Sequence, residues 1–233
     1  MSKTKTNPNE KMVKRFTKPT IIAHWMNALA FFMLYLSALP MYTETFDWVY
    51  KVFGGPENAR LAHRIFGVMF IIPTVYMLIA DPKSFWHWIK QCFTWKKHDF
   101  QFFLGFPSEF LVGKGKFPKQ DFYNAGEKVN SLLQIFAAMF IIASGLIMWF
   151  SGLFPYVVVT WAYPIHNIAV GLATAVFMGH LFLSAFHPNS KVSMRGITKG
   201  DVPLSYAKEH HGRWYDELME EEASKNDDDK KGA

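Results

Sequence analysis

Apolar residues in this chain are gathered into blocks rather than spread evenly. Four stretches, roughly 21–41, 62–80, 130–154 and 164–187, are nearly continuous in aliphatic and aromatic side chains. A membrane-spanning helix needs about 20 predominantly apolar residues, and each block meets that length. The spacing predicts an all-α membrane protein: a four-transmembrane-helix bundle within a single domain over 1–217. Residues 82–106 mix Trp, Phe and Lys without the length to span. That composition suits a segment lying in the membrane interface, with a partner-binding surface as the competing reading. Residues 107–121 contain Pro107, Gly113, Gly115 and Pro118 and predict an irregular loop. Residues 1–15 are expected to be loose. The tail, 218–233, is a charge run expected to be solvated and disordered.

Composition changes this picture little. Half of the 233 residues are hydrophobic, yet the mean hydropathy is only +0.03, because charged ends dilute the blocks. The first block is too long for a signal peptide and lacks a small-residue cleavage pattern, so it is expected to be retained. Cys92 is the only cysteine, which excludes a disulfide framework and any Cys-based zinc or iron–sulfur site within this chain.

Charge supplies orientation. Lys3, Lys5, Lys11, Lys14, Arg15 and Lys18 precede the first block. Lys83, Lys90, Lys96, Lys97, Lys114, Lys116 and Lys119 lie between the second and third, and Lys191, Arg195, Lys199, Lys208 and Arg213 follow the fourth. Lysine and arginine excess marks the cytoplasmic side, so both termini and the long middle connection are expected on that side. The net charge of +6 follows from this topology and from attraction to anionic lipid. No compact basic patch with interleaved stacking aromatics calls for nucleic acid.

Against that background the histidines stand out. The segment WAYPIHNIAVGLATAVFMGHLFLSAFHP holds His166, His180 and His187. An α-helix advances about 100° and 1.5 Å per residue, so His166 and His180 point nearly the same way, about 21 Å apart. His63 opens the second block near the outer face, and His24 lies in the first turns of the first block near the inner face. Sorted by depth, the four form two pairs: His63 with His166, and His24 with His180. A bis-histidine b-type haem takes one imidazole on each face, from two different helices. Each ligand then needs its other ring nitrogen oriented by a carbonyl or side chain. Gly67, Gly145, Gly171 and Gly179 give room between helices, although glycine is common in membrane bundles anyway.

His187 precedes Pro188, which tends to end the helix, and is left out of the ligand set. His87, His98, His210 and His211 are expected at the surface. Arg60 and Arg64 are candidates for outer haem propionates, and Lys18, Lys191 and Arg195 for inner ones. Snorkelling anchors explain the same residues equally well. Histidines that merely hydrogen-bond a neighbouring helix, a transporter whose histidines bind metal or protons, and a structural anchor for peripheral subunits are the competing readings.

Five motifs, in order, carry a resemblance: IIAHWMNALAFFMLYLSALP, ARLAHRIFG, FYNAGEK, PIHNIAVGLATAVFMGH and AKEHHGRWYDE. Together the chain resembles, from about residue 15 to 217, the cytochrome b (gamma) subunit of membrane-bound, quinone-linked formate dehydrogenases. The b-type cytochromes of nickel–iron hydrogenases are more distant; a sulfur-compound reductase is a further alternative donor. The loop at 82–118 carries little of the resemblance.

The resemblance implies two haem b groups, with His63 and His166 on the outer iron and His24 and His180 on the inner one. It implies a menaquinone site lined by Asn124 and Gly126, with His180 close by. It implies an iron–sulfur beta subunit and a molybdenum- or tungsten-pterin alpha subunit on the periplasmic face, and a symmetric assembly of heterotrimers. From the residues alone, Asn124 and Gly126 equally make a helix-start motif. Glu127 and His187 could relay protons, or be only solvated or capping.

Overall fold

The computed structural model describes residues 10–112, 115–188 and 192–231. Four helices are long and apolar enough to cross a membrane: α1 (Lys18–Tyr42), and, after the short α2 (Trp48–Phe53), α3 (Pro56–Ala80), then α6 (Ala125–Trp149) and α7 (Tyr156–Leu181). Between α3 and α6 lie α4 (Pro82–Phe93) and α5 (Lys97–Val112). After α7 come a π-turn at Phe182–Phe186 and the helices α8 (Ser193–Lys199), α9 (Leu204–His210) and α10 (Gly212–Lys231). Strands β1 (Met12–Lys14) and β2 (Asp201–Pro203) pair antiparallel, with Val13 opposite Val202.

Each of α1, α3 and α6 has 25 residues. At 1.5 Å per residue that is about 37 Å, enough to cross about 30 Å of hydrocarbon. Burial runs opposite to a water-soluble core. Ala30, Ala59, Ala162, Ala169 and Ala173 are buried, while Ile79, Ile168 and Met178 lie outward, Ile79 being 77% exposed. Small residues between helices and large apolar ones outside are what a lipid solvent selects.

Helix boundaries follow caps rather than hydropathy, which is why they differ from the expected blocks. Thr17 caps α1, accepting from Thr20 N at 3.3 Å, with Pro19 in the first turn. Gly54 and Gly55 take positive φ, 77° and 121°, and Pro56 then starts α3, six residues before the apolar run begins. Asn124 caps α6: its Oδ1 accepts from Glu127 N at 2.9 Å, and Glu127 Oε2 accepts from Asn124 N at 3.0 Å, a reciprocal capping box. Helix α7 starts at Tyr156, after Pro155, eight residues earlier than the block at 164, because Pro164 is accommodated within it.

The described residues divide into two compact units. One comprises Thr17–Trp86 and Phe136–Thr174. The other takes the residues before Thr17, those from His87 to Ile135, and those after Thr174. In the second, Val13, Val202, Tyr206, Ala207 and Trp214 form an apolar core, so residues 12–14 are a strand where a loose segment was expected. Beside it lie buried charges. Arg15 Nη2 donates to both Glu127 oxygens at 3.0 Å and to Phe122 O at 3.1 Å. Lys128 Nζ, fully buried, meets Asp99 at 2.9 Å and Asp121 at 3.4 Å.

Two surface assignments are corrected here. His98 is 7% exposed and His211 is fully buried. His211 Nδ1 lies 3.1 Å from Asp121 O, its ring against Trp214. Neither sits on an apolar run, so hydropathy gives no sign of their burial. His210 lies against Tyr206, and His87 is exposed as expected. The irregular loop expected over 107–121 is helical as far as Val112, with Pro107 inside α5. The tail past residue 217, expected to be disordered, continues α10 to Lys231; its Glu, Lys, Met and Ala favour helix while staying solvated.

Burial, with Arg15 nearby acting in the same direction, pushes His211 down to about 3. Between that value and the ordinary 6.5 the unfolded chain binds a proton that the folded chain refuses. Stability therefore falls as pH falls through this window, by about 1.4 kcal/mol per unit at most. Thermal unfolding in detergent at pH 7.5 and 5.5 should show a smaller acid-induced loss for His211→Asn than for the native chain; equal losses would contradict the assignment.

Candidate functional site

Within the first unit, His63 on α3 and His166 on α7 face one another, ring centroids 6.5 Å apart and planes 63° apart. Both lie well inside their helices: seven residues from Pro56 and ten from Tyr156, about 10 and 15 Å along the axes. The sequence placed them at helix mouths, an error that follows from the late helix starts drawn from hydropathy.

The Nδ1 atoms are both engaged by the protein. Ser37 Oγ on α1 lies 2.9 Å from His63 Nδ1. Ser144 Oγ on α6 lies 3.0 Å from His166 Nδ1, and the Ile141 carbonyl 3.1 Å from it. Nε2 is therefore the atom each ring has for coordination. Four helices converge on the pair, one contributing each histidine and one each serine. Nothing in the sequence singles out Ser37 or Ser144 among the other small polar residues of the blocks; their roles appear only with the packing.

These residues fit a haem iron. A metal–imidazole bond is about 2.0–2.1 Å, and the ring centre lies about 1.1 Å beyond the nitrogen, given C–N bonds near 1.33 Å. Two imidazoles on one metal thus put their centroids about 6.3 Å apart, close to the observed spacing. The planes are free to differ, since each ring can turn about its own metal–nitrogen axis. A Cβ at Gly67, one turn from His63, would meet nothing within 4 Å, so the helix surface below that ring is open. A Cβ at Gly145 would come within 3.4 Å of His166 Cε1, so glycine there lets the ring sit against α6.

The remaining predicted site residues are placed as follows. His24 is half-buried on α1, its ring 5.3 Å from that of Trp25. His180 is half-buried near the end of α7, just before the π-turn. His24 belongs to the first unit and His180 to the second. Arg60 and Arg64 are exposed, and the Arg64 guanidinium lies 5.6 Å from the Trp149 ring centre. Asn124 commits its Oδ1 to the cap described above, so its amide nitrogen is the atom it can offer a ligand. Gly126 faces Phe102, whose ring a Cβ would meet at 3.5 Å. Glu127 is held by Arg15 and by the cap, with its side chain still 31% exposed. His187 is buried, its Nε2 3.2 Å from Glu109 O. Lys191 lies outside the described residues.

Comparison with known proteins bears on this site. The family model described as prokaryotic cytochrome b561 matches residues 15–200. The chain is similar to the cytochrome b556 subunit of the nitrate-inducible formate dehydrogenase of Escherichia coli K12, at 27% identity over 98% of this chain and 99% of that protein. It is similar to the formate dehydrogenase cytochrome b556 subunit of Haemophilus influenzae, at 28% identity over 95% and 88% of the two chains. The cytochrome b556(fdo) subunit of the Escherichia coli K12 formate dehydrogenase is 26% identical over 88% and 93%.

Gly145→Val should push the His166 ring aside and lower the iron bound per chain, while Gly145→Ala should stay near the native value. Elemental analysis of purified protein checks this, and an unchanged iron content in the valine variant would show that the close packing is not needed.

Proposed function

Because the chain belongs to the prokaryotic cytochrome b561 family, we propose that it is the haem-bearing membrane subunit of a formate dehydrogenase complex. In that role it passes electrons from subunits outside the membrane to a quinone at the cytoplasmic side. The observation that carries this reading is the His63–His166 pair, at bis-imidazole spacing with both Nδ1 atoms turned to the protein. The names of the relatives favour formate dehydrogenase over a hydrogenase or a sulfur-compound reductase.

Haem b, when bound, supplies a one-electron couple inside a layer that ions cross only at high cost. His63 and His166 would hold the outer iron, and His24 and His180 an inner one, the second pair resting on the sequence. His166 and His180 share α7, and their separation of about 21 Å would set two redox centres at different depths. Arg60 and Arg64 would balance the propionate charge of the outer group. Arg64 already has its guanidinium over Trp149, which limits its freedom at the membrane boundary. Lys18 and Arg195 are the corresponding cations for the inner group.

Asn124 and Gly126 would line the menaquinone site. Asn124 Nδ2 can donate to a quinone carbonyl, and Gly126 keeps the start of α6 narrow beside Phe102. With the lysine and arginine excess on the cytoplasmic side, this end of α6 and both termini would face the cytoplasm across a bacterial inner membrane. Quinone reduction there would draw its protons from the cytoplasm. An iron–sulfur subunit and a molybdenum- or tungsten-pterin subunit would dock at the opposite face, in a symmetric complex of heterotrimers. The amphipathic α4, with Trp86 and Lys90 exposed and Phe85 and Cys92 buried, suits a membrane interface.

Purified protein should show a reduced b-type α-band with about two haems per chain. His63→Ala and His166→Ala should each remove one, and His24→Ala and His180→Ala the other. The native complex should bring iron–sulfur and pterin-bearing subunits through purification. Colourless protein, or protein that retains both haems after His63→Ala, would defeat the proposal.

A further inference from the structure

We propose that Ser37 and Ser144 are positioning residues that lock His63 and His166 in the tautomer carrying hydrogen on Nδ1, so that both Nε2 lone pairs are directed to iron. The inference rests on the haem reading above and goes further, assigning a function to two residues outside the ligand set.

The argument is a count of hydrogens. A serine hydroxyl has one hydrogen and two lone pairs, and a neutral imidazole has one N–H and one bare nitrogen. The Ser37 hydroxyl lies 3.0 Å from Leu34 O. A carbonyl can only accept, so the Ser37 hydrogen is committed to Leu34. Its oxygen is then an acceptor for His63 Nδ1, at 2.9 Å, and His63 Nδ1 must be the donor.

The second side repeats the pattern on other helices. The Ser144 hydroxyl donates to Phe140 O, with Ile141 O at 3.3 Å. His166 Nδ1 lies 3.0 Å from Ser144 Oγ and 3.1 Å from Ile141 O. Both of those groups can take a hydrogen from the ring, and the carbonyl can do nothing else. His166 Nδ1 is again the donor. Ser37 is fully buried and Ser144 is 3% exposed, so water does not compete for these bonds.

The opposite tautomer would place hydrogen on Nε2 and forbid coordination there. Each serine is also relayed to its own helix backbone, one turn back, which fixes the oxygen in place and with it the ring's rotation. An N–H donated to an oriented acceptor makes the imidazole a more basic ligand. A more basic ligand favours the ferric over the ferrous state, so the serines hold the outer couple at a lower potential than bare imidazoles would.

The test uses the purified native complex and the variants Ser37→Ala, Ser144→Ala and their double, with Thr174→Val as control. The Thr174 hydroxyl donates to its own helix, at Val170 O, and among the described residues it has no bond to either ring. Haem retention against a competing apo-protein and redox titration of each haem are read separately. Loss of such an outer partner typically weakens a metal site about 10–100-fold. A tenfold loss confined to the ferric form raises the midpoint by about 59 mV for one electron. The expected result is a raised potential and weaker retention for one haem only, largest in the double variant, with the control unchanged. Ser144→Ala alone should have a smaller effect than the double, because Ile141 O remains within reach of His166. Two haems at native potential and retention in the double variant would overturn this inference and leave the haem reading standing. Absence of haem from the native protein would overturn both.

Discussion

A polar atom inside a hydrocarbon layer must find its partner within the protein, because water is not there to supply one. That constraint organises the first unit. Four spanning helices turn large apolar side chains outward and bring alanine, serine and glycine together between them. Two imidazoles survive in that interior because each Nδ1 is tied to a serine and, for His166, to a carbonyl. The ring centroids lie 6.5 Å apart, close to the spacing of two imidazoles on one metal. The polar chemistry of the centre is thus carried by few atoms, and the helices around it serve to hold those atoms still.

The second unit answers the same demand differently. It builds a core of Val13, Val202, Tyr206 and Trp214, and pairs its buried charges in place: Arg15 with Glu127, Lys128 with Asp99 and Asp121. Breaking such a buried pair by removing one partner is costly, since the other charge is left stranded. The start of α6 is fixed twice, by the Asn124–Glu127 cap and by Arg15 on the same carboxylate. A site built on Asn124 would therefore rest on a rigid support, and Glu127 has a structural task whether or not it also handles protons.

Much of this was legible in the sequence, for physical reasons that can be named. Four apolar blocks of spanning length gave the four helices, since hydrocarbon thickness sets a minimum length. Depth matching paired His63 with His166, whose ring centroids the structure sets 6.5 Å apart. Helix starts were misjudged because Pro56, Asn124 and Pro155 decide them, not hydropathy. Ser37 and Ser144 were invisible, because a hydroxyl in an apolar helix has no partner until the helices are packed. The burial of His98 and His211 was missed for a related reason: both are held by Asp121, which lies far from each in the chain, His98 Nε2 at 3.4 Å from its carboxylate and His211 Nδ1 at 3.1 Å from its carbonyl. Local pattern cannot report on such pairings.

The central claim is that one iron sits between the rings of His63 and His166. A density map of the purified, haem-loaded protein, at a resolution that shows iron and its axial ligands, tests it most directly. The account predicts iron about 2 Å from Nε2 of both residues, with Nδ1 of each still on its serine. Rings that face each other with no metal between them, or iron held by other side chains, would contradict it.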